Sequence, residues 1–360
     1  MSLELELPTK YSKWIEDRVH SLGYKLSQSK KLAQHIEILS DYYNKTDVKQ
    51  TPWLNESTQL AYACYFFPLN YLRSLSVINK NKSLNFFKAT PNLFELGSGM
   101  GSTHLALLDS GVNFKNQIFL ETSDTAKSQH KNLLENFYPK LKCEWTHQHQ
   151  SQWYKKYQLD QSYLFLASYS VNELLKHDLS LEQLNLELQN FSSVLIIEPS
   201  TQYNSRQLLE LRQQMIDSSK HMWAPCTHQG QCPLLIHSKK DWCHDSVFIK
   251  MPDWYYEIES KLKIKNNSLT YSYLMAQNQK PPEFLKGLAR TIGNTQKEKG
   301  KTIQMICRGE QREFFSWLKK NKNEQWIERG LLVEIPEDIE QKNNELRVSS
   351  PIKTSSRINT

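Results

Sequence analysis

Three closely spaced glycines are the first residues in the sequence whose types and spacing suggest chemistry. Gly97, Gly99 and Gly101 follow a short apolar run, Leu93 to Leu96, and precede a helical pattern that begins at Ser102. Glycine permits positive φ, lets a ligand approach the backbone and lets a helix pack closely on a strand. The free N–H groups at a helix N-terminus can bind an anionic group. The stretch is predicted to be a strand, a tight turn and a helix that together hold a small ligand.

Two carboxylates flank this glycine loop. Glu95 lies just before it, and Glu121 ends the next apolar run, about 20 residues further along, where an acidic side chain can bind ribose hydroxyls. The loop is G-S-G-M-G rather than the G-x-G-x-x-G of dinucleotide-binding proteins. With Glu95 it resembles motif I of class I S-adenosylmethionine-dependent methyltransferases, and a glycine turn in another α/β protein is the alternative. The resemblance implies S-adenosylmethionine as cofactor, bound by Glu95, Gly97, Gly99, Gly101 and Glu121.

Cysteines are the second group of residues with chemical meaning. Cys226, Cys232 and Cys243 lie in a polar segment rich in histidine, and Cys307 ends a later apolar run. Thiolates are the ligands that iron–sulfur clusters and zinc prefer. The C-x5-C spacing differs from the C-x2-4-C of zinc fingers and suits a cluster held by a loop. From spacing alone, a cluster, a zinc ion and reduced thiols without a ligand all remain open.

The elements that must position these residues alternate between strands and helices from Asn92 onward. Alternation of this kind predicts an α/β fold with a parallel, doubly wound sheet that binds ligands at the carboxyl ends of its strands. The later apolar runs Leu269 to Ala276 and Thr302 to Cys307 are expected to complete a seven-stranded sheet. The first five predicted strands are Asn92 to Leu96, Gln117 to Glu121, Lys142 to Thr146, Ser162 to Ala167 and Ser193 to Glu198.

The chain is expected to divide into three parts. Residues 1–90 have amphipathic, aromatic-rich patterns that predict a helical N-terminal domain. Residues 91–335 form the Rossmann-like, methyltransferase-like domain, with a Cys-rich metal loop at 221–250 inserted into it. Residues 336–360 contain few apolar side chains and are expected to be a disordered tail.

Composition limits the functional classes. A chain of 360 residues with 39% hydrophobic residues can bury a substantial core. No apolar run approaches the roughly 18 to 20 residues of a membrane span, and the first residues are acidic rather than basic as in targeting signals. We therefore expect a cytoplasmic protein without a membrane partner. The net charge of +7 is compatible with an RNA partner.

Several separated stretches together resemble one family, the small-ribosomal-subunit methyltransferase-like proteins, bacterial relatives of mitochondrial methyltransferase-like protein 17 among them. The stretches include Ala61 to Tyr71, Leu164 to Leu174, Leu195 to Thr201 and the motifs A-P-C-T-H-Q-G-Q-C-P-L and D-W-C-H-D-S. The sequence departs from the family at Asp245, where an aromatic residue is usual. The resemblance implies a partner, the small ribosomal subunit with its rRNA, and a four-iron four-sulfur (4Fe-4S) cluster, with zinc as the alternative. Its ligands would be Cys226, Cys232, Cys243 and Cys307.

Three functions remain open at this stage. In the first, the protein transfers a methyl group from S-adenosylmethionine to rRNA, and Asn172 and Glu173, which follow the fourth predicted strand, are the candidate catalytic residues. The N-P-P-Y-type motif of amine methyltransferases is missing there, and the two side chains could equally be a structural pair at a helix N-terminus. In the second, the protein is a non-catalytic assembly factor that binds immature small subunits. In the third, it is a small-molecule methyltransferase with a structural metal loop.

Overall fold

A nine-stranded sheet forms the centre of the fold in the computed structural model, which describes residues 4–44, 50–146, 162–177, 179–263, 265–266 and 268–354. The strand order is β4-β3-β2-β5-β6-β9-β8-β1, and β7 also pairs with β9. Strands β2 to β6 run parallel, whereas β9 is antiparallel to β6. The strands are β1 (Glu4–Glu6), β2 (Asn92–Leu96), β3 (Asn116–Leu120), β4 (Glu144–Thr146), β5 (Tyr163–Ser168), β6 (Ser193–Glu198), β7 (His221–Ala224), β8 (Asp245–Lys250) and β9 (Leu269–Gln277).

Helices cover both faces of this sheet, so its central strands are buried runs rather than alternating ones. Along β5, Leu164 and Leu166 pack into the core on one face, whereas Phe165 and Ala167 pack into the core on the other. The helices are α1 (Thr9–Ser21), α2 (Ser29–Tyr43), α3 (Glu56–Ala61), α4 (Phe67–Lys80), α5 (Ser102–Asp109), α6 (Asp124–Phe137), α7 (Val171–His177), α8 (Leu181–Leu188), α9 (Gln202–Asp217), α10 (Pro233–Ile236) and α11 (Asp253–Glu259). Within the described ranges, no helix is long and apolar enough to cross a bilayer.

The N-terminal helices form a layer of the same core rather than the separate domain expected for residues 1–90. Their buried side chains belong to one apolar cluster with side chains of β2, β3 and α5. β1 pairs in parallel with β8 and becomes the edge of the sheet. The helical content of this part is as predicted, but its amphipathic faces pack on the sheet and not on each other alone.

Asp109, the last residue of α5, ties this N-terminal layer to the rest of the fold. Its carboxylate accepts hydrogen bonds from the hydroxyl groups of Tyr11 at 2.7 Å and Tyr71 at 2.8 Å, and also from Tyr138 and the ammonium group of Lys10. Burial raises the pKa of Asp109, but the four hydrogen bonds outweigh it and the net shift is downward. Charge-assisted hydrogen bonds of this kind fix the positions of α1, α4 and α5 relative to one another.

A second sheet follows the first and has a core of its own. Its strand order is β14-β10-β12-β13-β16-β15, with β11 paired to β12. Ala289, Ile306, Phe315, Trp317 and Leu346 are among its buried side chains. The strands are β10 (Leu288–Thr291), β11 (Gln296–Glu298), β12 (Lys301–Cys307), β13 (Glu313–Leu318), β14 (Leu332–Glu334), β15 (Glu340–Lys342) and β16 (Glu345–Arg347).

The second sheet corrects two expectations. The run Thr302 to Cys307 does not complete the first sheet; β12 lies in the second sheet, and β7 and β8 take the places beside β9. The strand count of seven is therefore wrong for the first sheet, although Leu269 to Ala276 lies in it as expected. An apolar run indicates a buried strand but not which sheet it joins.

The expected disordered tail over residues 336–360 is wrong as far as residue 354. Glu345–Arg347 pairs with β13, and Leu346, Val348 and Ile352 are buried in the core of the second sheet. These few apolar side chains are too sparse to fold alone, but they fill a core that other strands already form. Residues 355–360 lie outside the described residues.

Candidate functional site

The glycine loop has the strand, turn and helix structure that the sequence predicts. Gly97, Gly99 and Gly101 have φ values of +65°, +53° and +76°. A Cβ atom on Gly101 would lie 2.2 Å from the ring of His130, and one on Gly97 would lie 2.7 Å from the Cβ of Ser170. A Cβ on Gly99 would meet only Trp53, at 3.8 Å. The two outer glycines are therefore required by packing as well as by φ, whereas Gly99 is open toward a cavity.

The two predicted carboxylates lie behind and beside this loop. Glu121 accepts hydrogen bonds from the backbone N–H groups of Gly99 and Ser123, each at 2.8 Å, and burial raises its pKa. Glu95 is only 1% exposed, and its pKa is raised well above the usual range by burial and by the charge of Glu121. Among the described residues, the Oε2 atom of Glu95 has no hydrogen-bond partner. Two coupled, buried carboxyl groups favour a cationic neighbour.

A cavity of about 80 Å³ lies at the carboxyl ends of β2, β3 and β5, next to the loop. The N-terminal layer covers it, because Trp53 and Tyr62 line the cavity together with Gly97 and Gly99. The rings of Trp53 and Tyr62 are 4.3 Å apart between centroids. The sequence analysis missed both aromatic side chains, since nothing in their local pattern relates them to a loop more than thirty residues away.

The structure separates the two candidate catalytic residues that follow β5. The side chain of Glu173 lines the cavity, and its pKa is raised to about 7 by burial and by the charge of Glu121. Asn172 donates a hydrogen bond of 2.6 Å to Glu198, which also accepts one from the N–H of Val171 at 3.1 Å. Burial raises the pKa of Glu198 to about 8. Only Glu173 is placed to touch a ligand in the cavity, whereas Asn172 holds the start of α7.

Tyr169 is a further cavity residue that the sequence analysis missed. Its φ of +61° is unusual for a residue with a Cβ, and its N–H donates to the carbonyl of Ile197 at 2.8 Å. Tyr169 lines the cavity, its hydroxyl has no hydrogen-bond partner among the described residues, and burial raises its pKa to about 12. Backbone strain of this kind is concentrated at functional sites.

The four candidate cysteine ligands come together where the two sheets meet. Cys226 follows β7, Cys232 and Cys243 lie between β7 and β8, and Cys307 ends β12 of the second sheet. Cys232, Cys243 and Cys307 share one apolar cluster, and Cys226 and Cys243 line one cavity of about 20 Å³. Burial, followed by the charges of the other three thiols, raises the pKa of Cys243 well above its usual value. The segment expected as an inserted loop thus begins and ends in strands of the first sheet.

No group of three or more histidine, cysteine or acidic side chains in the described part of the chain is arranged to hold a single metal ion. The nearest histidine is His228, whose Nε2 lies 3.5 Å from the Sγ of Cys307. Burial and then the charge of Arg212 lower the pKa of His228 to about 4, so this ring is neutral at physiological pH.

Two buried arginines adjoin the thiols, and the sequence analysis missed both. Arg212 donates to the Sγ of Cys226 at 3.4 Å and to the carbonyl groups of Gly230 at 2.6 Å and His228 at 3.0 Å. Arg290 donates to the carbonyl of Gly330 at 2.7 Å, and its Nε has no partner among the described residues. Neither arginine has a carboxylate within ion-pair distance among the residues that the structure describes. Asp245 lines the same cavity and, against the effect of burial, its charge helps to raise the pKa of Arg290, but it forms its ion pair with Lys80 and not with either arginine.

Comparisons with known proteins match this chain to one family model and to several solved structures of low identity. The sequence model of the family described as mitochondrial small ribosomal subunit Rsm22 matches residues 56–325. A plantazolicin methyltransferase in complex with S-adenosylhomocysteine is 9% identical, over 70% of this chain and 99% of its own, with a TM-score of 0.38. A precorrin-6y methyltransferase from Geobacter metallireducens is 10% identical over 57% of this chain and 87% of its own, with a TM-score of 0.36. The TrmK protein of M. capricolum, in complex with S-adenosylhomocysteine, is 10% identical over 56% and 69%, with a TM-score of 0.30. A search of curated proteins gives no match.

Proposed function

Because the chain belongs to the Rsm22 family, whose sequence model covers residues 56–325, we propose that it binds S-adenosylmethionine at the glycine loop and acts on the small ribosomal subunit. The observation that carries the cofactor proposal is the cavity beside Gly97 and Gly99, which the carboxyl groups of Glu121 and Glu173 line. S-adenosylmethionine has a sulfonium and an ammonium group, and carboxylates in a cavity of low dielectric favour such cations.

Each site residue has a role in this proposal. The backbone at Gly97 and Gly99 contacts the methionine end, and the first N–H groups of α5 are available to its carboxylate. Glu121 binds the ribose hydroxyls with the lone pairs that its two backbone hydrogen bonds leave unused. The buried side chain of Glu95 offers Oε2, which has no hydrogen-bond partner among the described residues, as an acceptor near the loop. Trp53 and Tyr62 exclude water from the cavity.

Methyl transfer requires chiefly that a nucleophile is held in line with the sulfonium carbon. An RNA base would have to leave its stack to reach the cavity. Glu173 is the residue suited to receive a proton from the attacking group, because a base with a pKa near neutrality is effective at physiological pH. Asn172 acts through the hydrogen bond to Glu198 and positions the backbone that carries Glu173.

The experiment that tests catalysis is transfer of labelled methyl from S-adenosylmethionine to small ribosomal subunits from a strain that lacks the protein. The protein is purified without oxygen, and the Glu173→Gln variant is assayed in parallel. Label in the RNA that depends on Glu173 supports the methyltransferase. Label that is unchanged in Glu173→Gln contradicts the role of Glu173, and absence of label removes the catalytic proposal.

The second candidate function is a non-catalytic assembly factor, and one observation favours it. One carboxylate oxygen of Glu121 accepts a hydrogen bond from Gly99 of the loop and the other accepts one from Ser123, so a contact within the protein holds the loop. Binding of the protein to immature small subunits, with no label transferred, would support this function. Isothermal titration with S-adenosylmethionine then decides whether the cofactor is retained. Two variants are compared in this titration. Gly99→Leu fills the cavity, whereas the control, Gly111→Leu, places the same side chain at a glycine that also has a positive φ but has open space around it.

We further propose that Cys226, Cys232, Cys243 and Cys307 hold a 4Fe-4S cluster. The donor set suits it, since four thiols are the usual ligands of such a cluster. The charge also suits it, because four thiolates around a cluster carry net negative charge, and Arg212 and the unpartnered Nε of Arg290 lie beside them. The cavity that Cys226 and Cys243 line has a volume of about 20 Å³, little more than that of one water.

A cluster held by these four thiols would link the segment between β7 and β8 to Cys307 of the second sheet. The test is the iron and sulfide content and the visible absorption of protein purified without oxygen. Cys232→Ser is expected to lose both, whereas Cys143→Ser, a change at a cysteine outside this group, is expected to retain them. Equal iron and sulfide in the two variants would refute Cys232 as a ligand. Zinc without sulfide in the wild-type protein would support the zinc alternative instead.

A further inference from the structure

Six lysines gather at one end of the second sheet, and we call this group the lysine surface. Its members come from the β11–β12 hairpin and from the turn that follows β13. The two segments are joined by hydrogen bonds, because the N–H of Lys319 donates to the carbonyl of Gly300 at 3.0 Å and its Nζ donates to the carbonyl of Glu298 at 3.1 Å. The lysine surface consists of Lys297, Lys299, Lys301, Lys319, Lys320 and Lys322.

Most of this positive charge is not neutralised within the protein. Lys301 forms ion pairs with Glu298, at 3.3 Å, and with Glu345. The other five lysines are exposed, and in the described part of the chain none of them has a carboxylate within ion-pair distance. Bringing like charges together on a surface costs free energy, and a bound polyanion offsets that cost.

The backbone that carries these lysines forms two turns of defined conformation. Gly300 turns the hairpin with a φ of +82°, and Lys322 has a φ of +51°, an unusual conformation for a residue with a Cβ. The Cα atoms of the lysines are therefore held at defined positions in the two turns. Ammonium groups of this kind act as point charges toward phosphate and do not read base edges.

We propose that the lysine surface binds the sugar–phosphate backbone of structured RNA without sequence preference. The choice of RNA as the polyanion rests on the proposed function, in which the small ribosomal subunit is the partner. The lysine surface is also connected to the cysteine group through β12. β12 carries Lys301 at one end and Cys307 at the other, about 20 Å away at roughly 3.4 Å per residue. The joint at Cys307 thus sets the direction in which the lysines face relative to the cofactor cavity.

The test compares two full-length variants with equal net charge. In the first, Lys297, Lys299, Lys319 and Lys320 are changed to Gln. In the control, four exposed lysines of the N-terminal layer, Lys13, Lys25, Lys30 and Lys31, are changed to Gln. Binding to a fluorescently labelled small-subunit rRNA fragment is measured by anisotropy at several salt concentrations. Removal of one lysine–phosphate interaction lowers the slope of log K against log salt concentration by about 1.

The proposal predicts a slope lower by about 3 to 4 in the first variant and an unchanged slope in the control. Equal slopes in the two variants would overturn it. The proposal is also overturned if the first variant still binds the RNA fragment but no longer associates with small-subunit particles. In that case the lysines contact an acidic protein surface of the particle. Titration with S-adenosylmethionine distinguishes failure of this inference from failure of the proposed function. Wild-type protein that binds the cofactor but not the RNA would contradict the RNA partner and leave the cofactor proposal standing.

Discussion

Asn172 and Glu198 form a hydrogen bond of 2.6 Å between a side-chain amide and a buried carboxyl group. It joins the first turn of α7 to the end of β6, the strand beside β5. The bond explains why two adjacent residues after β5 have different roles. Asn172 is committed to the fold, and the neighbouring Glu173 is left to face the cavity.

The first prediction concerns this hydrogen bond. Asn172→Ala removes the donor and leaves an oxygen of Glu198 buried without it, which is expected to cost about 1–3 kcal/mol of folding free energy. Thermal unfolding at neutral pH measures the loss as a lower Tm. The control is Lys176→Ala on the exposed side of the same helix, for which we expect little change. Equal Tm values for the two variants would mean that the bond adds nothing to stability.

The second prediction concerns the pH dependence of cofactor binding. The pKa of Glu173 is raised to about 7, first by burial and then by the charge of Glu121. Its ionised form favours a cationic ligand, so the affinity for S-adenosylmethionine is expected to rise as the pH increases from 6 to 8. Titration calorimetry measures this rise, and Glu173→Gln is expected to flatten it. S-adenosylhomocysteine, which lacks the sulfonium charge, serves as the control ligand with a weaker dependence.

The same group has the opposite effect on folding. Because the pKa of Glu173 is higher in the folded protein than its usual 4.5, its contribution to stability is present below about pH 4.5 and is lost as the pH rises through about 7. Unfolding curves of wild-type protein and Glu173→Gln should therefore converge at low pH, with the variant more stable at pH 8. A variant that is less stable than wild type at pH 8 would contradict the raised pKa.

The third prediction separates two requirements for glycine. Gly101 and Gly111 have similar φ values, +76° and +78°, but a Cβ on Gly101 would overlap His130 whereas one on Gly111 meets nothing within 4 Å. Both alanine variants incur the backbone strain of about 1–2 kcal/mol. Gly101→Ala is expected to lose stability beyond that and to move the loop. The difference in urea midpoint between the two variants measures the packing cost, and a difference of zero would show that His130 moves aside freely.

The fourth prediction concerns acid stability. The pKa of Asp109 is lowered overall, since hydrogen bonds from Lys10 and the tyrosines outweigh the opposing effect of burial. Its stabilising contribution is therefore present above about pH 3.8 and is lost as the pH falls below that value. Asp109→Ala is expected to cost about 2–3 kcal/mol at pH 7 and less at acidic pH, where the protonated carboxyl group has lost its charge-assisted hydrogen bonds. Asp17→Ala on the exposed face of α1 is the control for loss of one carboxylate.

The fifth prediction concerns removal of iron. If a cluster joins Cys307 to the cysteines between β7 and β8, anaerobic chelation should loosen the joint between the sheets. Hydrogen exchange by mass spectrometry is expected to rise in peptides from residues 225–244 and 305–312, with no change in β5. Unchanged exchange after the iron has been removed would show that the joint is held by packing and by Arg212 alone.

The glycine loop and the first five parallel strands follow from the sequence, because buried strands and positive-φ glycines have strong local signals. The position of β12 could not be predicted in this way, since Thr302 to Cys307 reads as a buried strand wherever it pairs. The cover of Trp53 and Tyr62 over the cavity is a tertiary contact with no local pattern. The burial of Arg212 and Arg290 is also not predictable, because arginine in an amphipathic element normally faces solvent.

The pairing of β1 with β8 has a consequence for the order in which the protein is made. Residues 4–6 leave the ribosome long before their partners, residues 248–250, which appear only after most of the first sheet has been synthesised. The N-terminal layer therefore lacks the contact between β1 and β8 during this part of synthesis. Formation of the contact is slow, because the entropy of the long intervening loop is lost before the contact forms. A nascent chain halted before residue 250 would expose the unpaired edge of β1 and the apolar underside of α1, which makes that interval the point at which a chaperone would be needed.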